Sequence, residues 1–517
     1  MAPTAKSSKE SYGVVFPAAA DGKRSTTAVN QAVVADALRA VDDEAARAAE
    51  LEANWRSDYL PHLRQLVVSG LPSAAAAQAV ATTGLASLRE RMHGVNGVIG
   101  AKGSSAAADE ASEQSLRDWA DSVEQSHEPL QTDLVTGTAD PEHELTLPYH
   151  GRRLHGDDVL ARLDEWVRAG TMEPTAAEAV RTVAANPQWL RLEGTTVAVL
   201  GASSEMGPLP ALLRWGARVA AVDLPNPQVW ERVLRTAHRG AGTLVLPVVA
   251  SPSASGQELP ERAGVDLLTG APLVAQWLSE QLGRVVVGNY VYADGAANLR
   301  VCTAVDLLTT RLQAAHPDVA LAFLATPTDV FAVPEEAQAQ AARAFESRSR
   351  LGRMIAGPLG TLSRGRLLQP NYGASPVQAD TAQAVVDSLV PQQGPNYALA
   401  KRVQRWRATV ARAEGSTVSM NIAPPTRTRS VIKNRALAAA YAGAHRFGVE
   451  VFEPACANVL MAALLVHDLN TGGGPRHEHP WQDEAYAAVH GGLWRAPYEP
   501  RSALGLAALL GLAGARA

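Results

Sequence analysis

The stretch TTVAVLGASSEMGPLPALLRWGARVAAVDLP, residues 195–225, decides the expected fold. It contains an apolar, β-branched run, a turn with two glycines, a helical segment and a second apolar run that ends at Asp223. A strand, a tight turn, a helix and a second strand in this order form the repeating unit of a parallel sheet that is covered by helices. These residues therefore predict an α/β fold.

Further apolar runs of the same kind follow along the chain and alternate with helical stretches. They are TLVLPVV (243–249), RVVVGNY (284–290), DVALAFLAT (318–326) and STVSMNIAP (416–424). Continuous β-branched strands that alternate with helices are typical of a parallel sheet buried on both faces. We predict a doubly wound parallel sheet over residues 191–460, with an insertion at about 335–390.

The rest of the chain is expected to be mainly helical. Residues 1–27 are predicted to form a disordered arm, 28–145 an alanine-rich helical region, 146–190 a helical hairpin and 461–517 a helical tail. Within the hairpin, Asp157 lies near an expected helix start and Glu173-Pro174 precedes the second helix.

Composition excludes several classes of function. The 517 residues are 46% hydrophobic and 19% charged with a net charge of -5, which gives no electrostatic basis for binding nucleic acid. Two cysteines, Cys302 and Cys456, cannot form a disulfide framework, and we expect a cytoplasmic protein. The apolar run 502–515 is shorter than the roughly 20 residues that span a bilayer, so it predicts a packed terminal helix and no membrane partner.

The turn after the first strand has the features of a phosphate-binding loop. Gly201 and Gly207 allow the next helix to begin close to the sheet, and Ser203 and Ser204 offer hydroxyls, so a pyrophosphate could lie on exposed backbone N–H groups. Asp223, about 20 residues further on, could bind both ribose hydroxyls and would repel a 2′-phosphate. The pattern predicts NAD as cofactor, in preference to NADP.

The short sequence YALAK, residues 397–401, places a tyrosine and a lysine four residues apart. On a helix such residues share one face, with their side chains about 5 to 6 Å apart. A nearby ammonium stabilises a phenolate, so Lys401 is expected to lower the pKa of Tyr397 toward the range of a general acid or base. The alternative interpretation is an ordinary solvated helix face.

With its context, this pattern resembles the short-chain dehydrogenase/reductase family. GASSEMG is similar to the family's glycine turn, VDL to its second strand, YALAK to its active-site helix and MNIAPPTRT to its proline-threonine loop. The four elements occur in the family's order between 195 and about 430. The resemblance implies a Rossmann-like domain that transfers hydride between a nicotinamide and a small carbonyl or alcohol substrate, in a chain that can pair with a second copy.

The resemblance also implies roles for individual residues. Tyr397 would donate the proton to the substrate oxygen, and Lys401 would hold the nicotinamide ribose. Asn289 occupies the place of the family's fourth-strand asparagine motif. A loop over the nicotinamide would contain the residues Pro424, Pro425 and Thr428.

The chain departs from the family pattern at three positions. Glu205 replaces the middle glycine of the turn, where a carboxylate is unfavourable beside a pyrophosphate. Asp306 occupies the place of the asparagine that organises a proton relay. The serine after the fifth strand has no direct counterpart, although Thr326 or Thr328 could supply its hydroxyl.

These departures keep other functions open. A catalytically silent nucleotide-binding protein with a regulatory or assembly role is the main alternative, and a methyltransferase is another, although it leaves YALAK unexplained. A cluster of histidines near the C-terminus, within LLVHDLNTGGGPRHEHPWQDEAYAAVH, lacks the helical spacing of a metal site. We therefore predict no metal.

Overall fold

The computed structural model describes residues 12–97, 113–249, 257–347, 366–373 and 383–512. Over these residues the protein is a mixed α/β structure built around a seven-stranded sheet that is parallel except at one edge. The strands of this sheet are β4 (Gln131–Thr136), β7 (Thr195–Leu200), β8 (Arg218–Val222), β9 (Thr243–Val248), β10 (Arg284–Asn289), β11 (Ala320–Ala325) and β14 (Val418–Ile422).

The strand order in this sheet is β14-β11-β10-β7-β8-β9-β4. All six predicted strands are present and parallel, so this part of the sequence prediction is confirmed. The edge strand β4 was missed: it pairs antiparallel with β9, although the sequence analysis had placed it in a helical region. The strand was missed because most of it is exposed: only Val135 is buried, so the sequence shows little apolar pattern there.

Within the described residues, three smaller sheets lie outside the main sheet. They are formed by β1 (Gly13–Val15) with β2 (His93–Val95) and β3 (Gln114–Ser115), by β5 (Leu147–Tyr149) with β6 (Arg152–Leu154), and by β12 (Val330–Pro334) with β13 (Gln383–Asp387).

The helices before the sheet's first parallel strand are α1 (Thr26–Arg39), α2 (Asp43–Glu50), α3 (Trp55–Val68), α4 (Ala74–Arg91), α5 (Leu116–Ser126), α6 (Asp157–Ala169) and α7 (Pro174–Ala185). Those that follow it are α8 (Leu209–Arg214), α9 (Pro227–His238), α10 (Leu259–Arg262), α11 (Leu267–Ser279), α12 (Ala296–Ala315), α13 (Glu335–Glu346), α14 (Pro395–Ala413), α15 (Arg429–Lys433), α16 (Arg435–Gly443), α17 (Pro454–Asn470), α18 (Pro480–Tyr486) and α19 (Pro500–Gly511).

Helices cover both faces of the sheet. Successive side chains of each strand point to opposite faces, so each face has its own core. In β7, Ala198 and Leu200 belong to a core shared with α11, α12 and α14, whereas Val197 and Val199 belong to a second core shared with α8, α9 and α17. The two faces of the sheet therefore pack against different sets of helices.

The N-terminal region forms a third layer on the outer side of α12 and α14. Helix α4 lies so close to α14 that a Cβ atom added to Gly84 would be 2.4 Å from the Trp406 ring. Asn30 of α1 donates to Asn396 at 2.8 Å, and Arg89 of α4 pairs with Asp306 at 2.8 Å. The region assigned no role from sequence therefore supports the helix that carries Tyr397.

The prediction of a disordered arm at 1–27 is wrong for its second half. Residues 13–15 pair with β2, and α1 begins at Thr26 with Ser25 as its N-cap. The Arg300 guanidinium of α12 holds this strand, because it donates to the carbonyl oxygen of Val14 at 2.5 Å. Residues 1–11 lie outside the described residues.

In the predicted hairpin at 146–190, two helices begin at Asp157 and Pro174, and the strands β5 and β6 precede them. The predicted insertion at about 335–390 begins with α13, and most residues between α13 and β13 lie outside the described ranges. Strand β13, near the end of the insertion, pairs antiparallel with β12, which directly precedes the insertion. Helix α17 runs through the predicted domain boundary at 460 and is buried against the sheet.

The expected terminal helix is present as α19, which packs closely on α16. Among the described residues, the helices are all too short or too polar to cross a membrane.

Candidate functional site

The candidate site lies at the carboxyl edge of the parallel strands. Tyr397 is in the first turn of α14, which begins at Pro395, a residue whose fixed φ suits a helix start. The side chain of Thr326, which directly follows β11, interacts with the Tyr397 hydroxyl and lowers its pKa. The structure thus brings together a phenol and a hydroxyl that are 71 residues apart in the sequence.

Lys401 lies one turn further along α14 and points toward the same edge. Its ammonium donates to the Leu324 carbonyl oxygen at 3.3 Å and to the Gln404 side-chain oxygen at 3.0 Å. Gln404 in turn donates to the Asn289 side-chain oxygen at 3.2 Å, at the end of β10. Three residues singled out from sequence, Tyr397, Lys401 and Asn289, are therefore neighbours, and Gln404 connects two of them.

Burial changes the acid-base properties of both YALAK side chains. It raises the pKa of Tyr397 above its ordinary value, and only the hydrogen bond from Thr326 opposes this; the phenols of Tyr441 and Tyr292 raise the pKa further. Burial also lowers the pKa of Lys401. The expectation that Lys401 lowers the tyrosine pKa is wrong for this arrangement, because the ammonium is directed to Gln404 and a carbonyl oxygen.

A chain of polar groups leads away from Tyr397. The hydroxyls of Thr326 and Thr328 are 2.8 Å apart, and Gln393 donates to Thr328 at 2.6 Å. Of the two threonines, Thr326 is the one that interacts with Tyr397, and Thr328 is its hydrogen-bond partner.

The glycine turn contains a left-handed residue, and most of its N–H groups already have acceptors within the protein. Gly201 has a φ of +86°, and a Cβ atom there would be 2.9 Å from the Tyr290 carbonyl oxygen. The N–H groups of Gly201 and Ala202 donate to Val222, and those of Ser204 and Gly207 donate within the turn. These four donors are directed at the protein itself.

Asp223 lies at the turn, as its sequence position predicted. One of its carboxylate oxygens accepts from the Ser203 N–H at 2.7 Å and the other from the Leu224 N–H at 2.8 Å. Each oxygen keeps a second lone pair, so the carboxylate can still accept from ribose hydroxyls. Its chemistry therefore fits the ribose of an adenine dinucleotide.

The proline-threonine loop after β14 is anchored at one end and reaches the glycine turn at the other. Pro424 and Pro425 are buried, and the Pro425 carbonyl oxygen accepts from the Phe452 N–H at 2.8 Å. Thr428 is half-buried, and its hydroxyl is 2.9 Å from the Ser430 hydroxyl. Of the three predicted loop residues, Thr428 is thus the one that faces outward.

Glu205 contacts this loop. Its carboxylate accepts from the Arg429 N–H at 2.8 Å and lies 3.4 Å from the Arg429 guanidinium. The residue that departs from the glycine pattern therefore connects the turn to the loop.

Asp306 is part of a buried ion-pair cluster. Its oxygens pair with Arg407 at 2.6 Å and with Arg89 at 2.8 Å, and the carboxylate is 3% exposed. Arg402 and Arg405 of α14, the helix that also carries Arg407, pair with Asp329 at 2.7 and 2.8 Å. Asp306 therefore fixes α12, α14 and α4 together, which is a structural role.

Several apolar side chains at the carboxyl edge are exposed. Leu224, Tyr292 and Ile432 are 53%, 58% and 50% exposed, and they follow β8, β10 and β14 respectively. The Tyr292 and Tyr397 rings meet edge to face with centroids 6.2 Å apart. Exposed apolar side chains beyond the carboxyl ends of strands are a feature of ligand sites.

Two cavities lie elsewhere. One of about 490 Å³ borders Trp189, Thr195 and Asn470 at the amino end of the sheet, and one of about 120 Å³ borders Arg412 and His477. We place the site at the carboxyl edge, because ligands of open parallel sheets bind beyond the carboxyl ends of the strands and the chemical groups converge there.

The histidines near the C-terminus have separate partners. His467 contacts Asp468, His477 contacts Asp483, and His490 contacts Glu173 at 3.0 Å. Within the part of the chain that the structure describes, no three metal-ligating side chains come together.

Two functional candidates were missed from sequence, Gln404 and Arg429. Gln404 could have been found, because it lies three residues after Lys401 on the same helix and such residues are neighbours. Arg429 gave no signal, since its contact depends on how the loop after β14 crosses the sheet.

Compared with known proteins, the sequence matches no family model and no curated protein.

Proposed function

We propose that the protein is an NAD-dependent oxidoreductase in which Tyr397 donates a proton to the oxygen of a small carbonyl substrate. The observation that carries this proposal is the convergence of Tyr397, Thr326, Lys401 and Asn289 at the carboxyl edge of the sheet. The phenol and the hydroxyl come from two neighbouring elements, and their contact would polarise and orient a carbonyl oxygen placed between them.

The strand order supports a Rossmann-like, dinucleotide-binding fold. Counted along the chain, the six parallel strands have the spatial order 3-2-1-4-5-6, which is that of dinucleotide-binding sheets. The order reverses between β7 and β10, where such sheets bind their ligand. When bound there, a nicotinamide would supply the hydride.

The protonation state of Tyr397 supports the reductive direction. Because burial raises its pKa, the phenol keeps its proton at neutral pH and is a donor rather than a base. Lys401, held by Gln404, would present an ammonium to the ribose hydroxyls. Asp223 would accept from the hydroxyls of the other ribose.

The second candidate is a catalytically silent nucleotide-binding protein. Two observations favour it: Asp306 is held in ion pairs instead of a relay, and five N–H groups of the turn already have acceptors. The two candidates share the fold and differ in turnover.

A titration of the purified protein with NADH and with NADPH, followed by nicotinamide fluorescence, tests the proposal. We expect NADH to bind at least about tenfold more tightly than NADPH, because a carboxylate at Asp223 repels the 2′-phosphate. Absence of binding with both dinucleotides would contradict both candidates. Binding without turnover on a panel of ketones and aldehydes would favour the silent protein.

A further inference from the structure

The phosphate groups of a dinucleotide need positive charge or N–H donors, and the glycine turn offers few of them. Ser203 donates its N–H to Asp223, and its four neighbours described above donate to Val222 or within the turn. The turn also carries a negative charge at Glu205. A cation from outside the turn would therefore favour the binding of a ligand with two phosphates.

Arg429 is a cation that the structure brings to this turn. Its side chain is 66% exposed, and the guanidinium lies 3.4 Å from the Glu205 carboxylate, which is 27% exposed. The contact has two components, because the Arg429 N–H also donates to Glu205 at 2.8 Å. A carboxylate thus occupies the place beside Arg429 that a phosphate oxygen could take.

The contact crosses the site. Glu205 follows β7 and Arg429 follows β14, and these strands are three positions apart in the sheet, a separation of about 14 Å at the usual strand spacing. The intervening strands are β10 and β11, which end at Asn289 and Ala325. The loop that ends at Arg429 therefore passes over the edge where Tyr397 and Thr326 meet.

We propose that Arg429 binds a phosphate of the dinucleotide, and that Glu205 holds Arg429 and its loop across the site until the ligand displaces this carboxylate. The inference rests on the proposed function for the identity of the ligand, but the Glu205–Arg429 contact can be tested without one. An exposed pair of this kind is weak, so a bound phosphate can replace it.

Hydrogen exchange of the free protein tests the contact. In Glu205→Ala we expect the amides of residues 427–431 to exchange at least about fivefold faster than in the unchanged protein, because the N–H acceptor is lost. Glu205→Gln keeps an oxygen acceptor and should exchange nearly as slowly as the unchanged protein. The exposed Glu231 provides a control, Glu231→Ala, with the same change of charge. Equal exchange in all four proteins would overturn the contact.

NADH titration of the same variants tests the phosphate role. We expect Glu205→Ala to tighten binding about fivefold and Arg429→Gln to weaken it about fivefold, whereas Arg427→Gln, a change of the same charge on the same loop, should alter it less than twofold. Unchanged affinity in Arg429→Gln would overturn the phosphate role. If neither the unchanged protein nor Glu205→Ala binds NADH, the proposed function fails, and the exchange result still decides the contact.

Discussion

The glycine turn at 201–207 and the first turn of α14 give opposite lessons about sequence motifs. The glycine turn has the stronger sequence pattern, yet its backbone donors are largely used within the protein. YALAK is a common pattern on its own, yet the structure surrounds Tyr397 and Lys401 with Thr326, Gln404 and Asn289. A motif specifies a local backbone, whereas the partners of its polar groups depend on what packs around it.

The largest expected effect is the loss of proton donation. If Tyr397 is the donor, Tyr397→Phe should lower carbonyl reduction at least about 100-fold, the usual scale of general acid catalysis, and should leave NADH affinity within about twofold. Turnover is measured by nicotinamide absorbance and affinity by fluorescence. Unchanged turnover would remove Tyr397 from the mechanism and assign it only a packing role at the start of α14.

The next effect concerns stability. Asp306→Asn should lower the free energy of unfolding by about 3 kcal/mol, because it leaves Arg407 and Arg89 without a buried counter-charge. Asp318→Asn, an exposed position just beyond the same helix, is the control. Denaturant titration measures both. A variant of full stability with altered turnover would instead assign Asp306 to a proton relay.

A smaller effect is expected at Asp223, beside the glycine turn, where the choice between NADH and NADPH is made. Asp223→Asn should weaken NADH binding about tenfold, because it removes a charged acceptor for the ribose hydroxyls. The ratio of NADPH to NADH dissociation constants should fall, because the carboxylate no longer repels the 2′-phosphate. Fluorescence titration with both dinucleotides measures this. Equal loss for the two would indicate that Asp223 acts only by holding the Ser203 N–H.

The smallest effect is that of pH on reduction. Burial raises the pKa of Tyr397, so the phenol stays protonated through neutral pH and the reductive rate should change less than about twofold between pH 6 and 8. Alcohol oxidation needs the phenolate and should rise with pH over the same interval. A reductive rate that falls steeply above pH 7 would mean that the phenol ionises early, as the spacing to Lys401 suggested.

Much of the fold was predictable from local patterns. The six parallel strands were recognisable as apolar runs, because both faces of each strand are buried. Two helices begin at the predicted positions, Asp157 and Pro174. The strand β4 escaped detection because it lies at an edge with one buried side chain. The ends of α17, which spans position 460, were not predicted, because a helix that is apolar on all sides gives no period from which to locate its ends.

The candidate site was predictable as a set of residues but not as an arrangement. Tyr397, Thr326, Lys401 and Asn289 were each named from sequence, and the structure makes them neighbours. The pKa of Tyr397 was expected to fall and instead rises, because helix spacing fixes which residues share a face but not how deeply that face is buried.

The sequence by itself determined the order of strands and helices, since the alternation of buried and exposed residues is a local property of the chain. It also determined the left-handed turn at Gly201, which requires a residue without a side chain. Only the tertiary structure decided that Asp306 is an ion-pair partner, that Gln404 holds Lys401 and that Glu205 meets Arg429. These contacts join distant segments, and their energies depend on burial and distance that exist only once the sheet and its three helical layers have assembled.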